Sequence, residues 1–205
     1  MKLEIRERET AIRLVELLVS KGICTELNSC FMEEFAEREM YNLGFGFSDG
    51  LTKGCFWHND LCDWVIKFGY RGSLHKDYAR AEYENYVAAV NANLDWYFPF
   101  TDFLGEFGGV EFFIQERADC SEETVTGDWY DKLLAYHEEK DDKFDFEGIW
   151  DEVYALEDAE KIELMFNDWA LSSFLSARKI GDFHEGNFGY IGDRTVIIDF
   201  SGYAG

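Results

Sequence analysis

The stretch from Asn42 to Glu116 constrains the fold of this 205-residue chain more than any other part of it. Phe45 and Phe47 alternate with Gly44 and Gly46, and Phe56 and Trp57 follow Gly54 after a Ser48-Asp49-Gly50 turn. Period-two alternation broken by glycine-bearing turns is the pattern of paired strands. Asn59-Asp60 makes a further turn, and Asp63 to Gly69 reads as a short strand with Lys67 inside an apolar run. Asp77 to Asn93 is helical, with Tyr78, Ala81, Tyr86, Ala89 and Val90 on related faces. Phe100–Glu106 and Val110–Glu116 then flank Gly108-Gly109 as a hairpin. The order is β-β-β-α-β-β.

Helical patterns border this block on both sides. Ala11, Leu14, Val15 and Leu18 have helical spacing, with Gly22 as the stop, and a second helix follows Ser29 to about Met40. Residues 121–155 are acidic and aromatic, and read as a helix, a loop and another helix. Ile162, Met165, Phe166, Trp169, Ser173, Phe174 and Ala177 predict one long helix. A final hairpin comprises Phe188–Ile191, Gly192-Asp193 and Thr195–Asp199. The aromatic residues Phe112, Phe113, Phe166, Trp169 and Phe174 are expected in the core rather than on a stacking platform.

With 47% hydrophobic and 18% aromatic residues, the chain can bury a substantial core, so its formal net charge of −23 does not mark a disordered acidic tail. Such a field repels nucleic-acid phosphate, anionic lipid and free nucleotide, so direct nucleic-acid or membrane partners are not expected. The acidity favours solubility, or a surface for a basic partner. Five cysteines at 24, 30, 55, 62 and 120 form no Cys-x-x-Cys pair, which argues against zinc and for reduced thiols in a cytoplasmic protein. Met1 to Glu9 is a charged mixture unlike a signal peptide. No apolar run approaches the roughly 20 residues needed to cross a bilayer.

The candidate chemistry lies near the C-terminus, in Gly181-Asp182-Phe183-His184-Glu185-Gly186-Asn187 and, beyond a short apolar hairpin, Asp199-Phe200-Ser201. Asp182 could orient or deprotonate an attacking hydroxyl. Asn187 and Asp199 could supply the oxygen donors that magnesium prefers. On their own, these residues could equally be loop caps beside an ordinary hairpin. Lys67 could equally be an edge-strand lysine reaching out of an apolar run.

These elements, in this order, resemble the protein-kinase-like superfamily, which includes the aminoglycoside and choline kinases. The likeness covers roughly Tyr41 to Gly202 and is strongest in Asp182–Asn187 followed by Val196–Ser201. It implies an α+β, protein-kinase-like bilobal fold. An N-terminal helical extension (1–40) would precede an N-lobe with a five-stranded antiparallel sheet (41–117) and a truncated helical C-lobe (118–205). It also implies ATP and Mg2+ as cofactors in the cleft, with Asn187 and Asp199 on the metal. Lys67 would grip the α- and β-phosphates, held by a helix glutamate. Glu82, which shares a face with Tyr78 and Tyr86, is preferred for that role over Glu84. His184 stands where many kinases carry a lysine near the γ-phosphate. Gly46 and Gly50 could let backbone N–H groups approach phosphates, or could serve tight turns. Gln115 to Ala118, including Arg117, occupies the hinge, where backbone groups would bind adenine.

The chain also departs from that pattern. Ile180 and Gly181 stand where protein kinases carry His and Arg, and only Phe200 to Gly205 follow Asp199. Activation-loop regulation and the usual substrate platform are therefore not expected. The leading expectation is a minimal, atypical phosphotransferase acting on an alcohol acceptor of unknown identity, a protein being one candidate. The alternative is a pseudokinase-like acidic binding module that sequesters a basic or nucleic-acid-binding protein. Assembly into a larger complex would be a third way to supply the missing surface.

Overall fold

Strand pairing organises the computed structural model, which describes residues 2–24, 34–49, 53–69, 78–121, 132, 135, 158–181, 183 and 185–202. Two helices, α1 (Ile5–Ser20) and α2 (Glu34–Asn42), precede strands β1 (Phe45–Asp49), β2 (Lys53–His58) and β3 (Trp64–Gly69). Helix α3 (Tyr78–Asn91) and strands β4 (Thr101–Phe107) and β5 (Val110–Glu116) follow. After them come α4 (Asp158–Phe166), α5 (Trp169–Ala177), β6 (Phe188–Ile191) and β7 (Arg194–Ile197). The fold is mixed α+β. Its five-stranded sheet has the order β1-β2-β3-β5-β4, and every neighbouring pair is antiparallel. Strands β6 and β7 form a separate hairpin.

Register assigns the two sheet faces different tasks. Phe56 lies opposite Ile66, and Ile66 opposite Ile114, so these residues share one face with Phe68 and Phe112. That face joins Ala11, Leu14, Val15 and Leu18 of α1 in one apolar core. Each ring or branched chain fully buried there contributes about 1.5–3 kcal/mol. The other face carries Cys55, Lys67 and Phe113, aligned across β2, β3 and β5. A second apolar core gathers Ala89, Leu94 and Phe98 with Leu171, Leu175, Phe188, Ile197 and Phe200.

The stripe from Ile162 to Ala177 is two helices rather than one. Asn167 turns the chain at φ 48°, and Asp168 then caps α5 by accepting from the backbone N–H groups of Ala170 at 2.8 Å and Leu171 at 3.1 Å. The turn re-aims the chain, so Trp169 is 83% exposed and lies outside the core that its helical spacing suggests. Asp168 also accepts from the Tyr97 hydroxyl at 2.6 Å. Asp168→Ala is expected to lower stability by about 1–2 kcal/mol in urea denaturation. An unchanged midpoint would mean that the break is set elsewhere. The helices expected within 121–155 lie largely outside the described residues. No helix among the described residues is long and apolar enough to cross a membrane.

Candidate functional site

Strand β3 is interior to the sheet, which settles the character of Lys67. An interior lysine on a packed face cannot reach past the sheet edge, and a buried ammonium without a partner is costly. Lys67 is 8% exposed and, among the described residues, has two partners. Its Nζ donates to Glu82 Oε2 at 2.9 Å and to the Ile198 carbonyl at 2.8 Å. Glu82, 1% exposed, lies on the face of α3 that also buries Tyr78, Ala79, Asn85 and Ala89. Glu84 is on the solvent side, 3.9 Å from Arg80. Helical spacing thus decides which of the two glutamates meets the lysine.

A second lysine enters the same site. Lys53 opens β2 two residues before Cys55, and Cys55 lies directly opposite Lys67. The two lysines are therefore diagonal neighbours on one face. Lys53 Nζ donates to Glu82 Oε1 at 2.5 Å and to Asp199 Oδ1 at 2.6 Å, and lies 3.5 Å from Ser201 Oγ. Glu82 thus bridges two ammonium groups, one on each oxygen. Burial alone would lower the Lys53 pKa, but Glu82 and Asp199 raise it above its ordinary value. Burial would raise the Asp199 pKa, but the charges of Lys53 and Lys67 outweigh it and hold the carboxyl at about 2.

The segment carrying Asp199 is fixed from several sides. Lys67 holds the Ile198 carbonyl, and Asn85 Nδ2 donates to the Phe200 carbonyl at 2.7 Å. The Phe200 ring is fully buried, 4.8 Å from the Phe98 ring centroid. Asn187 is buried at the end of a 3-10 turn spanning Glu185–Asn187, and its carbonyl accepts from the Ile198 N–H at 2.9 Å. The hairpin thereby brings the Asn187 backbone beside the approach to Asp199. A carboxylate and an amide oxygen suit a hard cation such as magnesium. The ionised Asp199 fits that role, and the Lys53 ammonium now neutralises one of its oxygens. Among the described residues, no group of three or more His, Cys, Asp or Glu could hold a metal ion. Asp182, His184 and Gly50 lie outside the described residues.

The residues expected at the hinge have partners of their own. Gln115 is buried and donates to Thr101 Oγ1 at 3.1 Å. The Arg117 N–H donates to the Asp63 carbonyl at 2.8 Å, and its guanidinium lies 5.4 Å from the Trp57 ring centroid. Trp57 pairs with Gly46 across β1 and β2, and a Cβ on Gly46 would fall 2.2 Å from Trp57 Cε2. The bare Cα at Gly46 thus accommodates an indole. Gly189 permits another close approach, because a Cβ there would lie 2.8 Å from Ala118 Cβ and 3.0 Å from the Asp119 carbonyl. The backbones of Asp119 and Tyr190 exchange two 2.8 Å hydrogen bonds at the same place. Arg194 of β7 completes the clasp by donating to buried Glu116 at 2.6 Å. Cys24, Cys55, Cys62 and Cys120 are free thiols, and burial pushes Cys55 up to about 11.

The structure therefore brings Lys67, Glu82 and Asp199 together and adds Lys53 and Asn85, which sequence reasoning missed. Signals for both exist in the sequence. Lys53 is in period-two phase with Cys55 and Trp57, and Asn85 is three residues from Glu82 on one helix face. Neither signal is legible until strand register and the packing of α3 are known. No protein-family model, curated protein or solved structure matches the chain.

Proposed function

We propose that this chain is an ATP- and Mg2+-dependent phosphotransferase of a minimal, atypical kinase type, with a bilobal kinase-like architecture. The observation that carries the reading is the buried Lys67–Glu82 pair, whose lysine also donates to the carbonyl immediately before Asp199. Residues at 67, 82 and 199 thereby form one charged site in which a phosphate chain and a metal could be handled together.

In this reading Glu82 holds Lys67 extended, and Lys67 donates to the α- and β-phosphates of the nucleotide. Asn187 and Asp199 would hold magnesium, which would neutralise charge on the phosphates when bound. Asp182 aligns the acceptor hydroxyl and takes its proton late in transfer, while His184 hydrogen-bonds the γ-phosphate. Backbone groups of Gln115 to Ala118, including Arg117, face the base. Catalysis of this kind rests on positioning and charge, which a prearranged site supplies.

Calorimetry with ATP, with and without Mg2+, and assays of ADP release test the proposal. Wild type should bind ATP in a magnesium-dependent manner and release ADP, and Asp182→Ala should lower turnover about 100-fold or more. Absence of nucleotide binding at millimolar ATP would reject the reading. The second reading, a pseudokinase-like acidic module, draws on the Lys53–Asp199 contact and on the indole that covers Gly46. It predicts no nucleotide binding and tight, salt-sensitive binding to a basic protein.

A further inference from the structure

Glu82 needs only one ammonium partner to be neutralised, and Lys67 provides it at 2.9 Å. Bringing a second lysine into the same buried place requires a second desolvation. Lys53 nevertheless lies there, 8% exposed, between Glu82 and Asp199. Its contact is with the Asp199 carboxylate, the group that the reading above assigns to the metal. Magnesium binds oxygen at about 2.0–2.1 Å. An ammonium 2.6 Å from Oδ1 opposes that approach by like-charge repulsion and occupies one acceptor site of that oxygen. Metal and Lys53 therefore oppose one another electrostatically at Asp199 and compete for Oδ1.

The loser of that competition does not leave the site. Lys53 is also bound to Glu82 Oε1, on the oxygen that Lys67 does not use. An ammonium has three donors, so displacement from Asp199 frees at least one while the Glu82 contact keeps Nζ in place. We propose that Lys53 is a second phosphate-holding lysine, kept as the counter-ion of Asp199 until a magnesium-nucleotide enters and releases it toward the phosphates. The proposal rests on the nucleotide reading above. It also answers a problem set by the composition. A chain of net charge −23 repels a polyanionic nucleotide; Lys53 and Lys67 are balanced by Glu82 and Asp199, and a metal on Asp199 would leave one ammonium charge uncompensated for the phosphates inside that field.

The proposal predicts effects of opposite sign for one substitution. Lys53→Gln should weaken Mg2+-ATP binding in calorimetry about tenfold or more. The same change should tighten binding of Mn2+ alone at least threefold, read by electron paramagnetic resonance, because Asp199 loses its internal counter-ion. Lys53→Arg, which keeps the charge, should recover most of the nucleotide affinity. A merely structural lysine would not tighten the metal when removed. Mg2+-ATP affinity within twofold of wild type, or unchanged Mn2+ affinity, would overturn the proposal. If wild type bound Mg2+-ATP and Lys53→Gln bound it equally well, Lys53 would fail and the nucleotide reading would stand. If wild type bound no ATP at all, that reading and the phosphate role of Lys53 would both fall. Should Lys53→Gln not fold, Asp199→Asn serves instead. Released from its counter-ion, Lys53 should raise metal-free ATP affinity about fivefold, and no rise would overturn the proposal.

Discussion

Glu82→Ala is expected to lower folding stability by about 3–5 kcal/mol, the range for removing one partner from a buried ion pair. The change leaves Lys53 and Lys67 facing one another across adjacent strands without the carboxylate that bridges them. At an effective dielectric of about 20, a pair of unit charges 4 Å apart interacts by about 4 kcal/mol, so losing the bridge turns attraction into repulsion. Among the described residues, Lys53 keeps Asp199, while Lys67 keeps the Ile198 carbonyl. Glu82→Gln preserves shape and one acceptor oxygen and should fall between wild type and alanine. Glu84→Ala, on the exposed side of the same helix, should stay within about 0.5 kcal/mol. Urea denaturation of the three variants checks the order. A loss under 1 kcal/mol for Glu82→Ala would mean that the lysines reach solvent on their own.

Asp199→Ala should lower ADP release at saturating Mg2+ by about 100- to 1,000-fold, the scale on which removal of one preorganised charge-stabilising group acts. Its effect on stability should be small. The Asp199 side chain is 36% exposed, so solvent screens its pairing with Lys53, and about 1 kcal/mol or less is expected. Lys53 retains Glu82, so no buried ammonium is stranded. A large activity loss with a nearly unchanged melting curve would separate a site residue from a structural one. Retained magnesium-dependent turnover would remove Asp199 from the proposed machinery.

Glu82 and Asp199 also show how far the sequence is legible. The pattern β-β-β-α-β-β emerges from alternation and turn residues, and the five-stranded antiparallel sheet contains those strands. Helical phase separates Glu82 from Glu84 because burial on one side of α3 is a local, periodic property. The break at Asn167 was less legible, because apolar spacing continues through it while a capping aspartate interrupts the helix. The same continuous spacing places Trp169 in the core, whereas the structure exposes it. Gly46 illustrates another limit. Its sequence neighbours fit a phosphate loop and a tight turn equally, but the group that needs the missing Cβ is Trp57, on the partner strand.

The sequence by itself determined the β-β-β-α-β-β order, the apolar face of α1 and the glutamate-bearing face of α3. These follow from local spacing and turn chemistry, whose range is a few residues. Only the tertiary structure decided that Lys53 lies beside Lys67 and reaches Asp199, 146 residues away. That contact depends on the register of β2 against β3, on α3 packing over their shared face, and on the anchored segment after β7. Register and packing are global properties, and a lysine at the start of a strand has no local feature that tells it which distant carboxylate it will meet.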